Sequence, residues 1–336
     1  MSFPVTHLPG KRLKGPATYI AGIIAALALI VAGIEFARRS KAPADAPTAL
    51  PAGVNESRPF PRELRDALGE TLVIPSEPRR IVSQTLGTDE ILLAICPPER
   101  IVALSDLAED GDYSNVVELA RQIPGGTTRS VEEILRLKPD LVFVASYIRA
   151  ETVELWKASK APVFRFANFD SIAAIKSNIR TVGYATGNTA AAERIIRKMD
   201  EDLAAIRARI PRNGPPARVM SYDRLGYTAG ANTIFNEVTQ AAGAVNVSAE
   251  HGVNRFAKIS SEKIAEWQPD FLVTGANRDK SESERENLLA DPAIAASKAG
   301  RAGRIIVIDN RHFLTVSHNV AHFVEDLANG LYGNRK

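Results

Sequence analysis

Several groups of side chains in this sequence have types and spacings suited to chemistry. His318 and His322 stand four residues apart, with His312 nearby and Ser317 as the expected cap of their helix. A zinc site there would need a third ligand and supporting hydrogen bonds. His251, in a glycine-containing loop, is the other metal candidate. Asp106, Glu109, Asp110 and Asp112 form the densest carboxylate group. They could pair a general acid with a base, but one short loop gives little apolar cover to shift a pKa, and a solvated acidic loop is expected. Gln84, Thr85, Asp106, Tyr147, Arg149, Tyr222, Arg224, Tyr227, Arg278, Arg311 and His312 fall where loops should follow strands, and are the candidate ligand-binding residues. Aromatic faces and guanidinium forks together suit a bulky anionic or catecholate-like chelate. Cys96 is the one cysteine, so an intrachain disulfide and a multi-cysteine metal knuckle are excluded. Its place at the end of an apolar helix before Pro97-Pro98 reads as a buried small hydrophobe. The chain has no Gly-x-Ser-x-Gly elbow, P-loop, Gly-x-Gly-x-x-Gly or His-Glu-x-x-His, so no enzyme, cofactor or resident metal is expected.

The elements that must position these residues alternate between strand and helix. Ile81–Ser83 is a β-branched run, followed by a helix from Thr88, its expected cap, to Ile95. Ile101–Leu104, Leu141–Ala145 and Val163–Phe166 read as strands, with helices near Val131–Leu137 and Thr152–Ser159 between them. Such alternation argues for a parallel sheet covered by helices. An internal repeat carries more: Ser130, Glu132, Ile134, Pro139 and Asp140 recur as Ser260, Glu262, Ile264, Pro269 and Asp270, at a constant offset of 130. Each copy reads as a Ser-capped helix, a Pro-Asp turn and a buried strand. Arg80–Ser83 and Arg218–Ser221 look like matching first strands. Between the copies, Ile195, Ile196, Met199, Leu203, Ile206 and Ile210 lie on one face of a long helix ended by Pro211. The fold class is therefore α/β: two similar lobes with mainly parallel sheets joined by one long helix. Ligand is expected between the lobes, at the carboxyl ends of their strands.

The 336 residues divide further at the N-terminus. Segment 1–16 is basic and cytoplasmic, 17–37 is a transmembrane anchor or signal helix, and 38–59 is a Pro/Ala-rich tether. Ala17 to Ile34 contains no charge, and with its edge the run reaches about 20 residues, enough to cross a bilayer. Two outcomes stay open: an anchor facing the periplasm, or a cleaved leader that frees the rest. The remaining segments are 60–187 (N-terminal lobe), 188–211 (spanning helix) and 212–336 (C-terminal lobe). Six of the 42 basic residues but one of the 39 acidic ones lie in the first 41 positions, so the body is slightly acidic and offers nucleic acid no footprint.

A duplicated, exported α/β chain of this kind resembles the class III periplasmic binding proteins, the substrate-binding components of ABC importers for ferric siderophores, haem and cobalamin. The resemblance covers roughly Arg62–Tyr332 and rests on several motifs in order. These are Asp66–Pro75 followed by Pro78–Ser83, Glu90–Ile95, both Ser-x-Glu…Pro-Asp repeats, and Thr228-Ala-Gly230…Phe235-Asn-Glu237…Ala242-Gly243-Ala-Val-Asn246. It implies a rigid spanning helix, modest closure on a bulky ligand, and one surface glutamate per lobe docking with a permease in the cytoplasmic membrane. By position those are Glu132 and Glu262. Glu133, at capping-box spacing from Ser130, reads as structural. The partners implied are that permease and a small-molecule metal chelate, with a monomer expected. The Asp66–Pro75 segment puts a ferric siderophore first, ahead of cobalamin and haem. A membrane-tethered scaffold without transport is the remaining alternative.

Overall fold

The computed structural model describes residues 59–127, 130–146, 148, 154–156 and 162–333. The basic segment, the apolar run 17–37 and all but the last residue of the tether lie outside them. Among the described residues no helix is long and apolar enough to cross a membrane.

The N-terminal lobe opens with a hairpin, β1 (Arg62–Arg65) and β2 (Thr71–Ile74), antiparallel and turned through Gly69 at φ 79°. Asp66 holds this turn by accepting from the Leu68 and Glu70 amides, while its second oxygen meets the buried guanidinium of Arg165. Then follow β3 (Ile81–Ser83), α1 (Leu86–Ile95), β4 (Ile101–Ala103), α2 (Val131–Arg136), β5 (Leu141–Ala145), β6 (Val163–Phe166) and α3 (Ile172–Thr186). The four strands β4-β3-β5-β6 form one parallel sheet. All five residues of β5 are buried, as a strand covered on both faces requires.

A helix of 21 residues, α4 (Thr189–Arg209), crosses to the second lobe. At about 1.5 Å per residue it is roughly 31 Å long. It packs on α1 and α3. Arg180 of α3 pairs with its Glu193 at 2.7 Å, and its Arg209 reaches Glu325 of the C-terminal lobe at 2.9 Å.

The C-terminal lobe contains β7 (Arg218–Ser221), β8 (Tyr227–Ala229), α5 (Ile234–Ala241), β9 (Val245–Asn246), β10 (Phe256–Lys258), α6 (Glu262–Trp267), β11 (Phe271–Ala276), β12 (Ile305–Asp309) and α7 (Val320–Tyr332). Helix α7 packs on both α4 and α5. Strands β9-β7-β11-β12 form a second parallel sheet, in the same order as the first when β3 is matched with β7 and β5 with β11. Sequence alternation did not reveal the two antiparallel ribbons, β1–β2 and β8–β10, which are too short to show a period.

The repeat has a structural cause. The Asp140 carboxylate accepts the Arg79 and Arg80 amides at 2.8 and 2.9 Å, tying the start of β5 to the start of β3. Asp270 accepts the Arg218 amide at 2.9 Å and so ties β11 to β7. The Arg80 guanidinium closes the end of α2 on the Leu137 carbonyl at 2.7 Å, and Arg218 does the same for α6 on Trp267 at 3.3 Å. Lys138 and Gln268, at matching positions, both take left-handed φ values of 47° and 50°.

Three expected caps are corrected. Helix α1 starts three residues early because Thr85, not Thr88, is its cap and accepts the Thr88 amide. Ser130 caps α2 through the Glu133 amide, but α6 begins at Glu262 after Ser261, which makes no side-chain cap, so Ser260 lies outside the helix. Ser317 does not start α7 either; the helix begins at Val320, and His318 precedes it.

Phe143 sits at the centre of the first core, fully buried, edge-on to Phe164 and tilted on Phe166 at centroid distances of 6.3 and 5.7 Å. Phe143→Ala should destabilise the chain by about 3–5 kcal/mol, read from urea unfolding.

Candidate functional site

In a strand–helix–strand crossover the helix runs back against the strands. Because α2 and α6 end beside the first residues of β3 and β7, their N-termini lie at the carboxyl edges of the sheets. The loops after β4, β6 and β12 leave from those same edges.

Among the described residues, polar side-chain contacts join the lobes at three places. The first is Glu90 of α1, which is 1% exposed. Its carboxylate accepts from the Asn115 side chain at 2.9 Å within its own lobe, and from Thr315 at 3.2 Å, Asn319 at 3.0 Å and Ser317 in the other. The second joins the loop after β4 to the ends of β11 and β12. Asn115 donates to the Arg311 carbonyl at 2.8 Å. Burial, Asp110, and Asp279 and Asp309 of the opposite lobe together raise the Asp112 carboxyl, against Lys280. The third lies at the other end of the sheets, where Asp170 after β6 pairs with Arg255 before β10 at 3.1 Å. Between these contacts, the carboxyl ends of β3 and β5 stand toward those of β7 and β11.

The predicted residues distribute around this arrangement. Gln84 lies at the end of β3 and donates to the Ser83 carbonyl at 2.9 Å. Thr85 is the α1 cap, and Asp106 is exposed after β4. Tyr147 and Arg149 lie outside the described residues. Tyr222 is buried in the C-terminal core with Met220, Val247 and Leu272. Tyr227 is half-buried in β8, and Arg224 pairs with Glu284 at 3.4 Å. Arg278 and Arg311 converge on Asp309, at 3.3 and 2.6 Å. Burial alone would raise the Asp309 carboxyl, but the Arg311 hydrogen bonds and both positive charges hold it below its usual range.

His312 donates or accepts through Nδ1 to Asp326 at 2.6 Å and stacks on His322, with ring centroids 5.0 Å apart. His318 stands between Glu90 and His322; burial lowers its imidazole, opposed by Glu90 and reinforced by His322. His251 stacks on Trp267 at 4.4 Å and 3°. Among the described residues, no three His, Cys, Asp or Glu side chains are placed to hold a metal ion. The Cys96 thiol is buried, which pushes it up to about 11. A groove of about 610 Å³ runs along the outer edge of β12, lined by Phe271, Arg285, Arg304 and Asn329, within the C-terminal lobe.

Glu132 and Glu262 are exposed in the first turns of α2 and α6. Each is bonded by the serine two residues earlier, Ser130 to Glu132 at 3.1 Å and Ser260 to Glu262. For Glu132 the helix amide and Ser130 lower the carboxyl; for Glu262 Ser260 leads and the amide follows. Both side chains are thus held as anions. The recurring Ser-x-Glu spacing has its cause here.

Glu90, Asp170, Arg255 and Asn115 were not among the residues expected at the site. Glu90 left a signal: two acids, Asp89 and Glu90, in an otherwise apolar helix. Asp89 is completely buried. Burial pushes its carboxyl up to about 7, Ser105 and Ser83 draw it down, and Glu90 adds to the rise.

Comparison with known proteins follows this geometry. A sequence profile described as periplasmic binding protein matches residues 81–312. A cobalamin-binding protein of Halobacterium salinarum is 26% identical over 317 residues, covering 93% of this chain and 85% of that protein. An uncharacterized ABC transporter substrate-binding lipoprotein of Bacillus subtilis is 25% identical over 223 residues, 64% of this chain and 69% of its own. Among solved structures, the periplasmic heme-binding protein RhuT of Roseiflexus sp. RS-1 superimposes with a TM-score of 0.66 at 29% identity, covering 76% of this chain and 98% of that one.

The Asp89 shift makes stability depend on pH. A carboxyl raised from 3.8 to about 7 on folding stabilises the fold while protonated. That contribution is whole below about pH 4 and is lost as pH rises through about 7. Asp89→Asn, which keeps an acceptor for the Ser105 amide, should therefore gain on the natural protein steadily between pH 4 and pH 8 in thermal melts. A constant difference across that range would rule out the burial account.

Proposed function

The chain belongs to the periplasmic binding protein family, and from that premise we propose that it captures a cobalt or iron tetrapyrrole, cobalamin or haem, in the cleft between its lobes. It is a substrate-binding protein of the ABC importer type, and a permease and a small-molecule ligand are its partners. The observation that carries the reading is the facing of two parallel sheets by their carboxyl edges, tied at both ends and spanned by α4. Binding in such a cleft requires no chemistry on the ligand, only a difference in affinity between two arrangements of the lobes.

Similarity to a cobalamin-binding relative along most of the chain supports the tetrapyrrole over the ferric siderophore that the sequence reading put first. The Asp66–Pro75 segment behind that reading is explained by packing, since it forms the β1–β2 hairpin held to Arg165. We place the protein on the periplasmic side of the membrane, held by segment 17–37 or released from it. Glu132 and Glu262 are the proposed permease contacts; both are ionised, exposed and at the carboxyl edges of the sheets.

Full-length protein in detergent should show a thermal shift with cyanocobalamin or haemin and none with ferric siderophores. At roughly 100-fold over Kd the gain is about 2.7 kcal/mol. Silence with all three classes rejects the reading. Joint Glu132→Ala and Glu262→Ala substitution should lower cellular uptake several-fold while leaving ligand affinity unchanged; a loss of affinity would place the two residues in the binding site instead.

A further inference from the structure

Of the four arginines assigned to the site from sequence, the three among the described residues are neutralised within their own lobe. Arg224 is held by Glu284, and Arg278 and Arg311 by Asp309. Arg255 differs, because its acid, Asp170, belongs to the opposite lobe. Anything that enters between the sheets and parts this contact releases a guanidinium, whereas the other three stay paired.

The backbone beneath Arg255 is built to hold it there. Arg255 has φ 60°, a conformation that costs about 1–3 kcal/mol for most side chains. The cost is met by two hydrogen bonds of 2.7 Å, the Gly230 amide to the Arg255 carbonyl and the Arg255 amide to the Ala231 carbonyl. Gly230 is required for that approach, since a Cβ there would lie 1.9 Å from the Val253 carbonyl oxygen. On the other side, the Asp170 amide is fixed on Asn168 at 2.9 Å, and Ser171, next in sequence, caps α3. The ion pair therefore joins two stiff supports. Its geometry is loose all the same, with 41% of the Arg255 side chain and 34% of Asp170 exposed. Burial raises the Asp170 carboxyl further than Arg255 lowers it, so the guanidinium compensates this anion only in part.

Resting on the tetrapyrrole reading, we propose that Arg255 receives an anionic group of the ligand, a carboxylate or a phosphodiester, and that Asp170 is the internal anion with which that group competes. Two anions contending for one guanidinium make a selective gate. A neutral ligand cannot replace the pairing it breaks, whereas an anionic one restores it with a fork-shaped contact. The same competition ties ligand entry to the separation of β6 from β10. The chemistry also separates the two tetrapyrrole classes: haem offers two carboxylates, and cobalamin one phosphodiester.

The test compares each pigment with a derivative lacking the anion: haemin with its dimethyl ester, and cyanocobalamin with dicyanocobinamide. Affinities are measured by absorbance titration on the full-length natural protein, Asp170→Asn and Arg255→Gln, with thermal melts confirming that each variant folds. Asp170→Asn should tighten the anionic pigment up to about fivefold, and its neutral derivative by less, since the neutral ligand gains only the cost of parting the pair. Arg255→Gln should bring the anionic pigment down to the level of the derivative, and Arg255→Lys should restore part of the difference. The pigment whose discrimination is lost identifies the anion as carboxylate or phosphodiester. Binding that is equally strong for both members of a pair, or a preference indifferent to both substitutions, overturns the proposal while leaving the tetrapyrrole reading intact. Failure of the natural protein to bind either pigment overturns the two together.

Discussion

Glu90 is a buried carboxyl group surrounded by neutral donors drawn from both lobes, and the relation between the lobes depends on it. A buried carboxylate left short of partners costs several kcal/mol, and each unmatched donor around it about 1–3 kcal/mol. Asn115 comes from its own lobe, while Thr315, Ser317 and Asn319 come from the loop before α7. A small sliding of one lobe on the other would leave this set half made. A wide separation would hand the carboxylate to water. The steric fit at Gly87, where a Cβ would fall 2.8 Å from Val316, adds a packing constraint at the same contact.

Around that contact the chain has used one scaffold twice. Arg80 with Asp140, and Arg218 with Asp270, do the same work in each sheet: the acid aligns two strand starts, and the arginine closes the helix that leads into the second strand. All these groups lie at the amino edges of the two sheets. At the carboxyl edges the two halves diverge. The first carries an acidic loop after β4, and the second carries the β8–β10 ribbon with its strained Arg255.

This division explains what could be read from the sequence. Strand alternation and the Ser-x-Glu…Pro-Asp repeat were legible because each of those residues satisfies a nearby backbone group, and local bonds leave a fixed spacing. The lobe contacts were not legible, since Glu90 and Ser317 are 227 positions apart and no period links them. Tyr222 was assigned to the cleft because it follows a strand, yet it shares parity with Met220, and both enter the C-terminal core. Applying that alternation one residue beyond the strand end would have placed it correctly. The histidine spacing is explained in a different way. Their spacing of four has meaning only inside a helix, and the helix begins after His318.

The two lobe contacts at opposite ends of the sheets also differ in strength. Asp170–Arg255 is an exposed pair, worth about 0–1 kcal/mol and weakened further by salt. The Glu90 network is buried and unscreened. The β6–β10 side is therefore the weaker of the two contacts, while the Glu90 side ties the lobes through several buried donors. Helix α1 bears Glu90 and packs on α4, and α4 packs on α7 and is ion-paired to it. The Glu90 contact is thus joined through α1 and α4 to α7 in the C-terminal lobe.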